Sequence, residues 1–375
     1  MSSPDQSLPT LRWGIIGTGL ISSWFTKDIT GPRKSPRATH IIQAIGSSSL
    51  SKGNAFVSQH LPTLSPAPTV YPDYHSVYND PAVDIIYIGT PHGLHKQNCL
   101  DAIAAGKHVL CEKAFTLNAA ETREVLAAAA EKKVFIMEAM WLRFRPLVSC
   151  LRKVLYEEKA IGDVRRVFCD FGLRMDIPSL PESSRLKNLA MGAGTLLDIG
   201  IYSLTWGILT LESPDSTPAE KPQIAATQTL RDGVDIASSF ILRYPATGRQ
   251  GILTSTLEAR TPGAFLRLEG TEGYVLVEGV AASSPRSFTV YPKANPAVDK
   301  EGSKVEGKKY EFEVEGMGFY FEADAVAESI ARGERENAVM PHGETVRVME
   351  ILDEIRRQGG ARFPQEDQGS TLSSI

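Results

Sequence analysis

Four short stretches carry residue types that can do chemistry together: Gly17-Thr18-Gly19-Leu20-Ile21-Ser22, Ser47-Ser48-Ser49, Glu112-Lys113 and Asp198-Ile199-Gly200-Ile201-Tyr202. The first follows an apolar run and precedes a helix-like segment, in the G-x-G-x-x-S form of a dinucleotide fingerprint. Its first glycine permits a tight turn, and its second lets the backbone approach a pyrophosphate held at a helix N-terminus. Ser22 replaces the usual third glycine or alanine and still permits close helix–strand packing. A purely structural turn is the plainer alternative.

NAD enzymes of this pattern place an acidic residue after the second strand, where it binds the ribose hydroxyls. Here no Asp or Glu occurs between Asp28 and Asp73, and the charged residues of that interval are Arg33, Lys34, Arg37 and Lys52. A carboxylate would repel a 2′-phosphate, whereas Ser47, Ser48, Ser49 and a nearby cation, Lys52 or Arg37, accept one. NADP is the expected cofactor. A solvated serine turn explains the same residues without any ligand.

Glu112-Lys113 follows another apolar run, at the sheet edge where such folds bind ligands. Lys113 can bond a nicotinamide ribose and lend charge to a reacting oxygen, or it is a surface lysine in an ion pair. Thr195 can cap a helix on which Asp198 and Tyr202, four apart, share a face. Tyr202 is a candidate proton donor and acceptor, although a free phenol titrates near 10 and needs a neighbouring cation. A packed core tyrosine is the alternative.

Thr90-Pro91-His92 and His95 end another strand and are expected to line the cofactor cleft, since no further ligand cluster completes a metal site around the histidines. Trp141, Arg143 and Phe144 either wall a substrate pocket or form a hinge with core aromatics. Ser183, Ser184 and Cys111 have no histidine arrangement that would make them nucleophiles.

Short apolar runs at 11–16, 40–45, 83–88, 108–111 and 134–137 alternate with helix-length segments. Gln97–Ala105 and Asn118–Lys132 are rich in helix formers, and Asn118 with Glu121 suggests a capping box. This alternation predicts an α/β domain with a doubly wound parallel sheet over residues 1–145. Beyond it, strands are expected at 164–172, 224–230, 236–244, 251–258, 265–269, 273–278, 287–291 and 310–314. Helices are expected at 147–158, 195–211, 318–332 and 343–358. That pattern predicts an α+β domain over 146–375 built on an antiparallel sheet. Pro292–Lys309 reads as an exposed loop or hairpin tip, and the tail from Pro364 to Ile375 as frayed.

The 375 residues hold 40 Lys+Arg against 44 Asp+Glu, a net charge of −4 that argues against a nucleic-acid partner. No apolar stretch reaches about 18 residues, so no membrane span is expected. The start lacks the pattern of a secretory signal. The four cysteines show no metal or redox spacing and read as reduced thiols of a cytoplasmic protein.

Gly17-Thr18-Gly19, Glu112-Lys113 and Asp198–Tyr202 together resemble the Gfo/Idh/MocA family of nicotinamide-dependent sugar and polyol oxidoreductases. Arg12-Trp-Gly, Gly19–Ser23, Val109–Lys113, Met137–Trp141 and Leu196–Tyr202 are most similar to its dimeric dihydrodiol dehydrogenase and NADP-dependent D-xylose 1-dehydrogenase subgroup. The resemblance implies a Rossmann domain followed by a C-terminal domain whose large open antiparallel sheet forms a homodimer interface. It makes Lys113 the lysine of the family's Glu-Lys-Pro motif, with Ala114 in place of proline. It also makes Tyr202 the counterpart of a histidine common elsewhere in the family. The implied reaction places an aldose, D-xylose foremost, in the cleft between the domains. Tyr202 takes the C1 hydroxyl proton as hydride passes to the nicotinamide, Lys113 stabilises the negative charge, and Asp198 orients Tyr202 or bonds a sugar hydroxyl. Alternatives are a trans-dihydrodiol or carbonyl substrate, and a non-catalytic NADP(H) sensor.

Overall fold

A computed structural model of the chain describes residues 8–214, 220–293 and 306–369. By contacts the chain forms two units, Met1–Phe144 with Val314–Met349, and Arg145–Glu313 with Glu350–Ile375.

The first unit alternates strand and helix: β1 (Thr10–Ile16), α1 (Leu20–Thr30), β2 (Thr39–Gly46), α2 (Leu50–His60), β3 (Thr69–Tyr71), α3 (Tyr74–Tyr78), β4 (Ile85–Ile88), α4 (His92–Ala104), β5 (His108–Glu112), α5 (Ala119–Lys132) and β6 (Ile136–Ala139). Its six strands pair in parallel in the order β3-β2-β1-β4-β5-β6. The order in which successive strands are added reverses between β1 and β4, the switch point beside which ligands of such folds bind. Every residue of β4 is buried, as a central strand covered on both faces requires. Asn118 caps α5 by accepting from the Glu121 backbone N–H at 2.9 Å, as the sequence predicts. The sequence predicts no element between the runs at 40–45 and 83–88, where α2, β3 and α3 form.

The second unit contains α6 (Pro146–Tyr156), β7 (Val164–Gly172) and a π turn (Leu196–Gly200) running into α7 (Ile201–Leu211). Strands follow: β8 (Gln223–Arg231), β9 (Val234–Arg243), β10 (Gln250–Thr256), β11 (Ala264–Gly270), β12 (Gly273–Ala281), β13 (Ser284–Pro292) and β14 (Lys308–Glu311). The eight-stranded sheet has the order β14-β13-β12-β11-β7-β10-β9-β8. It is antiparallel except for β7 against β10, because the β8–β9–β10 meander docks on β7 through its last strand. All of α7 is buried, and it packs on β7 and β10. Among the described residues one stretch, Leu189–Leu211, is long and apolar enough to span a membrane. It lies almost wholly inside this unit as its core helix.

The chain then forms α8 (Tyr320–Ala331), α9 (His342–Gly359) and α10 (Pro364–Gly369). The sequence assigns all three to the second domain, but Val314–Met349 groups with the first unit. Two polar clusters account for this. The Asp28 carboxylate accepts from the backbone N–H groups of Met317 (2.6 Å), Gly318 (2.9 Å), Phe319 (2.6 Å) and Tyr320 (3.3 Å), satisfying the unpaired donors where α8 begins. Further along α8, Asp324 bonds Arg33 and His40, each at 2.9 Å, and Trp13 Nε1 donates to His40 Nδ1 at 3.1 Å. Helical periodicity announces α8 but not the unit it joins, where it packs against α1 and the 3-10 turn at 141–144.

Two terminal expectations also change. Within Pro292–Lys309, β14 already begins at Lys308, and 294–305 lie outside the described residues. The tail opens with α10, where Arg356 clamps Glu366 through two bonds of 2.9 and 2.7 Å rather than fraying. Residues 1–7 and 370–375 lie outside the description.

Candidate active site

At the carboxyl edge of the first unit's sheet, β1 ends in the glycine turn. Gly17 has φ +84°, and a Cβ there would stand 2.8 Å from the Gly89 carbonyl oxygen, so only glycine fits. Gly19 is the N-cap of α1 and offers its N–H groups no side chain. A Cβ added at Gly19 would meet only the Gly89 oxygen, at 4.0 Å, so the space over the helix N-terminus stays open for a phosphate. Leu20 is exposed, Ile21 is partly exposed, and Ser22 is fully buried in the packing position expected of the third small residue.

Beside this turn, β2 delivers the serine loop. Thr18 and Ser47 bring their hydroxyls within 3.2 Å, and Lys52 Nζ donates to Ser48 Oγ at 3.0 Å. Ser49 is occupied as the N-cap of α2, accepting from the Lys52 backbone N–H at 3.3 Å. Arg37 stands before β2, at the opposite end of that strand, and pairs with Glu328 at 3.4 Å. Of the two cations the sequence leaves open, only Lys52 therefore stands at the serine loop. The open helix end and the neighbouring hydroxyls fit a nicotinamide dinucleotide.

Lys113 follows β5 at the same edge, and its peptide bond to Ala114 is cis. Several groups hold the loop it opens. His92 Nε2 faces the Lys113 carbonyl oxygen at 3.1 Å, while His95 Nδ1 faces the Ala114 carbonyl at 3.0 Å and its Nε2 the Thr90 carbonyl at 2.7 Å. Carbonyl oxygens only accept, and burial pushes His95 down to about 4, so its neutral ring donates to one side at a time. From below, the Glu138 carboxyl accepts from the Phe115 N–H at 3.2 Å, and burial pushes Glu138 up to about 7. Glu112 points into the core, where the Tyr87 hydroxyl donates to it at 2.7 Å. Thr90 adds a bond from Asn98 at 2.9 Å, and Pro91 is the N-cap of α4. His92 and His95 thus brace the lysine loop from the start of α4, just beyond the end of β4.

Trp141 is 4% exposed and stacks on Phe319 with ring centroids 4.3 Å apart, and Arg143 pairs with Glu344. Phe144 ends the same short 3-10 turn and is partly exposed.

In the second unit, Asp198 lies within the π turn and Tyr202 in the first turn of α7. A π turn closes i→i+5 bonds and so takes more than 3.6 residues, which brings positions four apart closer to one line. Tyr202 is 4% exposed, with Phe171 edge-on at 5.7 Å. Asp198 forms an ion pair with Arg185 at 3.4 Å. No spacing rule points to Arg185, which sits in a polar loop. The expected Thr195 cap is not formed. Asp235, on β9, accepts from the Leu196 N–H at 2.8 Å instead.

Comparison with known proteins agrees with this fold. Residues 11–140 match the model of an oxidoreductase family with an NAD-binding Rossmann fold, and residues 152–276 match the Gfo/Idh/MocA C-terminal domain. The chain is 33% identical over 371 residues to D-xylose 1-dehydrogenase (NADP(+)) of Hypocrea jecorina, covering 95% of this chain and 94% of that protein. It is 34% identical over 366 residues to trans-1,2-dihydrobenzene-1,2-diol dehydrogenase of Bos taurus, covering 95% and 99%. Among solved structures, a levoglucosan dehydrogenase in complex with NADH and levoglucosan shares the fold with a TM-score of 0.78 at 20% identity, covering 94% and 97% of the two chains. A 3-ketoreductase from Actinomadura kijaniata gives 0.77 at 19%, covering 93% and 98%. With both of its domains matched and full-length relatives above 30% identity, the chain belongs to the Gfo/Idh/MocA family of NAD(P)-dependent oxidoreductases.

Proposed function

We propose that the protein is an NADP-dependent dehydrogenase that oxidises the C1 hydroxyl of an aldose, D-xylose foremost, to the aldonolactone. The observation that carries this reading is Tyr202, a phenol on a buried helix next to Asp198, in a chain 33% identical to an NADP-dependent xylose dehydrogenase. Acting as the phenolate, Tyr202 accepts the proton of the C1 hydroxyl at Oη as the C1–H bond breaks and the C1=O bond forms. Bound NADP supplies the hydride acceptor. Lys113 places a positive charge against the oxygen on which negative charge develops. Asp198 orients the phenol or bonds a neighbouring sugar hydroxyl. Gly17, Thr18 and Gly19 receive the pyrophosphate at α1, while Ser47, Ser48 and Lys52 hold the 2′-phosphate.

A trans-dihydrodiol is the second reading. It is favoured by Phe171, whose ring stands edge-on beside Tyr202 and offers an apolar neighbour to a carbocycle. Product analysis separates the two. Incubation with NADP and either D-xylose or trans-1,2-dihydrobenzene-1,2-diol should yield the xylonolactone from the sugar. Turnover of the diol alone moves the assignment to the second reading. NADPH binding without turnover of any substrate leaves a sensor.

We also propose a cytoplasmic homodimer joined through the outer face of the eight-stranded sheet. Ile241, Ile252, Phe168, Arg267 and Leu276 line up in register across that face, and Arg267 lies 4.5 Å over the Phe168 ring. Ile241, at one end of this row, is 42% exposed, a large apolar side chain left uncovered on that face. Light scattering should give twice the chain mass, and a monomer would refute the interface.

A further inference from the structure

Asp235, at the start of β9, is 2% exposed. Its Oδ2 accepts from the Leu196 N–H at 2.8 Å and from the Ser238 hydroxyl at 3.0 Å. Its Oδ1 packs on the bare Cα of Gly194, where φ is +141° and a Cβ would stand 1.9 Å from that oxygen. Leu196 opens the π turn, whose first N–H groups need acceptors from outside. Thr195 is the local residue suited to supply one, yet its buried hydroxyl has no hydrogen-bond partner among the described residues. A carboxylate from a neighbouring strand therefore does what the helix's own threonine does not. Burying that carboxylate is costly and pushes it up to about 7, with the Arg356 charge opposing the shift. On its other side the turn rests on β10, where a Cβ at Gly200 would stand 2.8 Å from Ser255 Oγ.

We propose that Asp235 is a positioning residue: through Gly194 and the Leu196 N–H it fixes the start of the π turn, and so places Asp198 and Tyr202 for proton transfer without touching the substrate. The proposal rests on Tyr202 being the acid/base group.

The test uses the full-length protein with Asp235→Asn, Asp235→Leu and, as reference, Tyr202→Phe. The readouts are kcat and KM with NADP and D-xylose, NADPH affinity by fluorescence, and amide exchange of the 194–204 segment. Asp235→Leu should lower kcat about 100-fold, the scale of a small misplacement. NADPH affinity should stay unchanged, and exchange should rise in 194–204 but not along β9. Asp235→Asn keeps an acceptor for Leu196 and should recover most of the rate. Unchanged kcat in a folded Asp235→Leu, or unchanged exchange in 194–204, overturns the proposal. If Asp235→Leu does not fold, Asp235→Ala, which also removes the acceptor, takes its place with the same readouts, and unchanged kcat with unchanged exchange in 194–204 overturns the proposal. If D-xylose is not turned over, the exchange readout alone decides. Normal turnover by Tyr202→Phe instead defeats the acid/base reading, a result separate from any outcome at Asp235.

Discussion

The hydroxyls of Thr18 and Ser47, 29 residues apart in the chain, stand 3.2 Å from each other where β1 and β2 end side by side. That contact joins the glycine turn to the serine loop and puts Ser48 and Lys52 at the adjoining position, with Lys52 Nζ 3.0 Å from Ser48 Oγ. An NAD enzyme carries a carboxylate at this edge, whereas this chain has no acidic residue between Asp28 and Asp73.

Cofactor choice should therefore follow Lys52 and Ser47. A charge-assisted phosphate contact contributes about 1.5–3 kcal/mol, so Lys52→Ala should raise KM for NADP about 10- to 100-fold and leave KM for NAD nearly unchanged. Ser47→Asp should move the preference towards NAD. Steady-state kinetics with both cofactors check this, and an equal loss with both would contradict it.

Removing the phenolic oxygen should abolish proton transfer while sparing the fold. Tyr202→Phe should lower kcat by about 10²–10⁴, the usual contribution of a positioned acid/base group. NADPH titration should give the wild-type affinity, since Tyr202 and the nucleotide-binding residues belong to different units.

The glycine turn has little tolerance for a side chain. At φ +84°, with a Cβ 2.8 Å from the Gly89 oxygen, Gly17→Ala should cost on the order of 1–3 kcal/mol and weaken NADPH binding. Thermal unfolding with and without NADPH measures both effects, and a variant as stable and as tightly bound as wild type would contradict them.

Burial raises Glu138 from 4.5 to about 7. The folded chain therefore binds its proton more readily than the unfolded chain does. The resulting stabilisation is complete below pH 4.5 and is lost as pH rises towards and through about 7. Glu138→Gln should remove that component, so its melting temperature should fall less than that of wild type between those pH values. Parallel melting curves for the two proteins would contradict the assignment.

Much of this was legible in the residues. The parallel sheet announced itself because Ile85–Ile88 and its neighbours are buried runs ending in glycine or polar residues, and β7 falls at Val164–Gly172, as its alternation predicts. The destination of α8 was not legible. It depends on Asp28 and His40, some 290 residues away in the chain, accepting and donating bonds that leave no local pattern. At the proposed site, type and motif single out Lys113 and Tyr202, while no local pattern points to Asp235 or Arg185. An aspartate on a strand is named as a helix cap only once the strand lies beside the helix. Thr195 misled for the same reason, because its local fitness as a cap is overridden by tertiary contact.

The most direct measurement is the initial rate of NADPH formation at a wavelength of about 340 nm with purified protein and D-xylose, compared with NAD in place of NADP. The account predicts saturable turnover with a kcat/KM for NADP well above that for NAD. No absorbance change with D-xylose and other aldoses while NADPH still binds, or a preference for NAD, would contradict it.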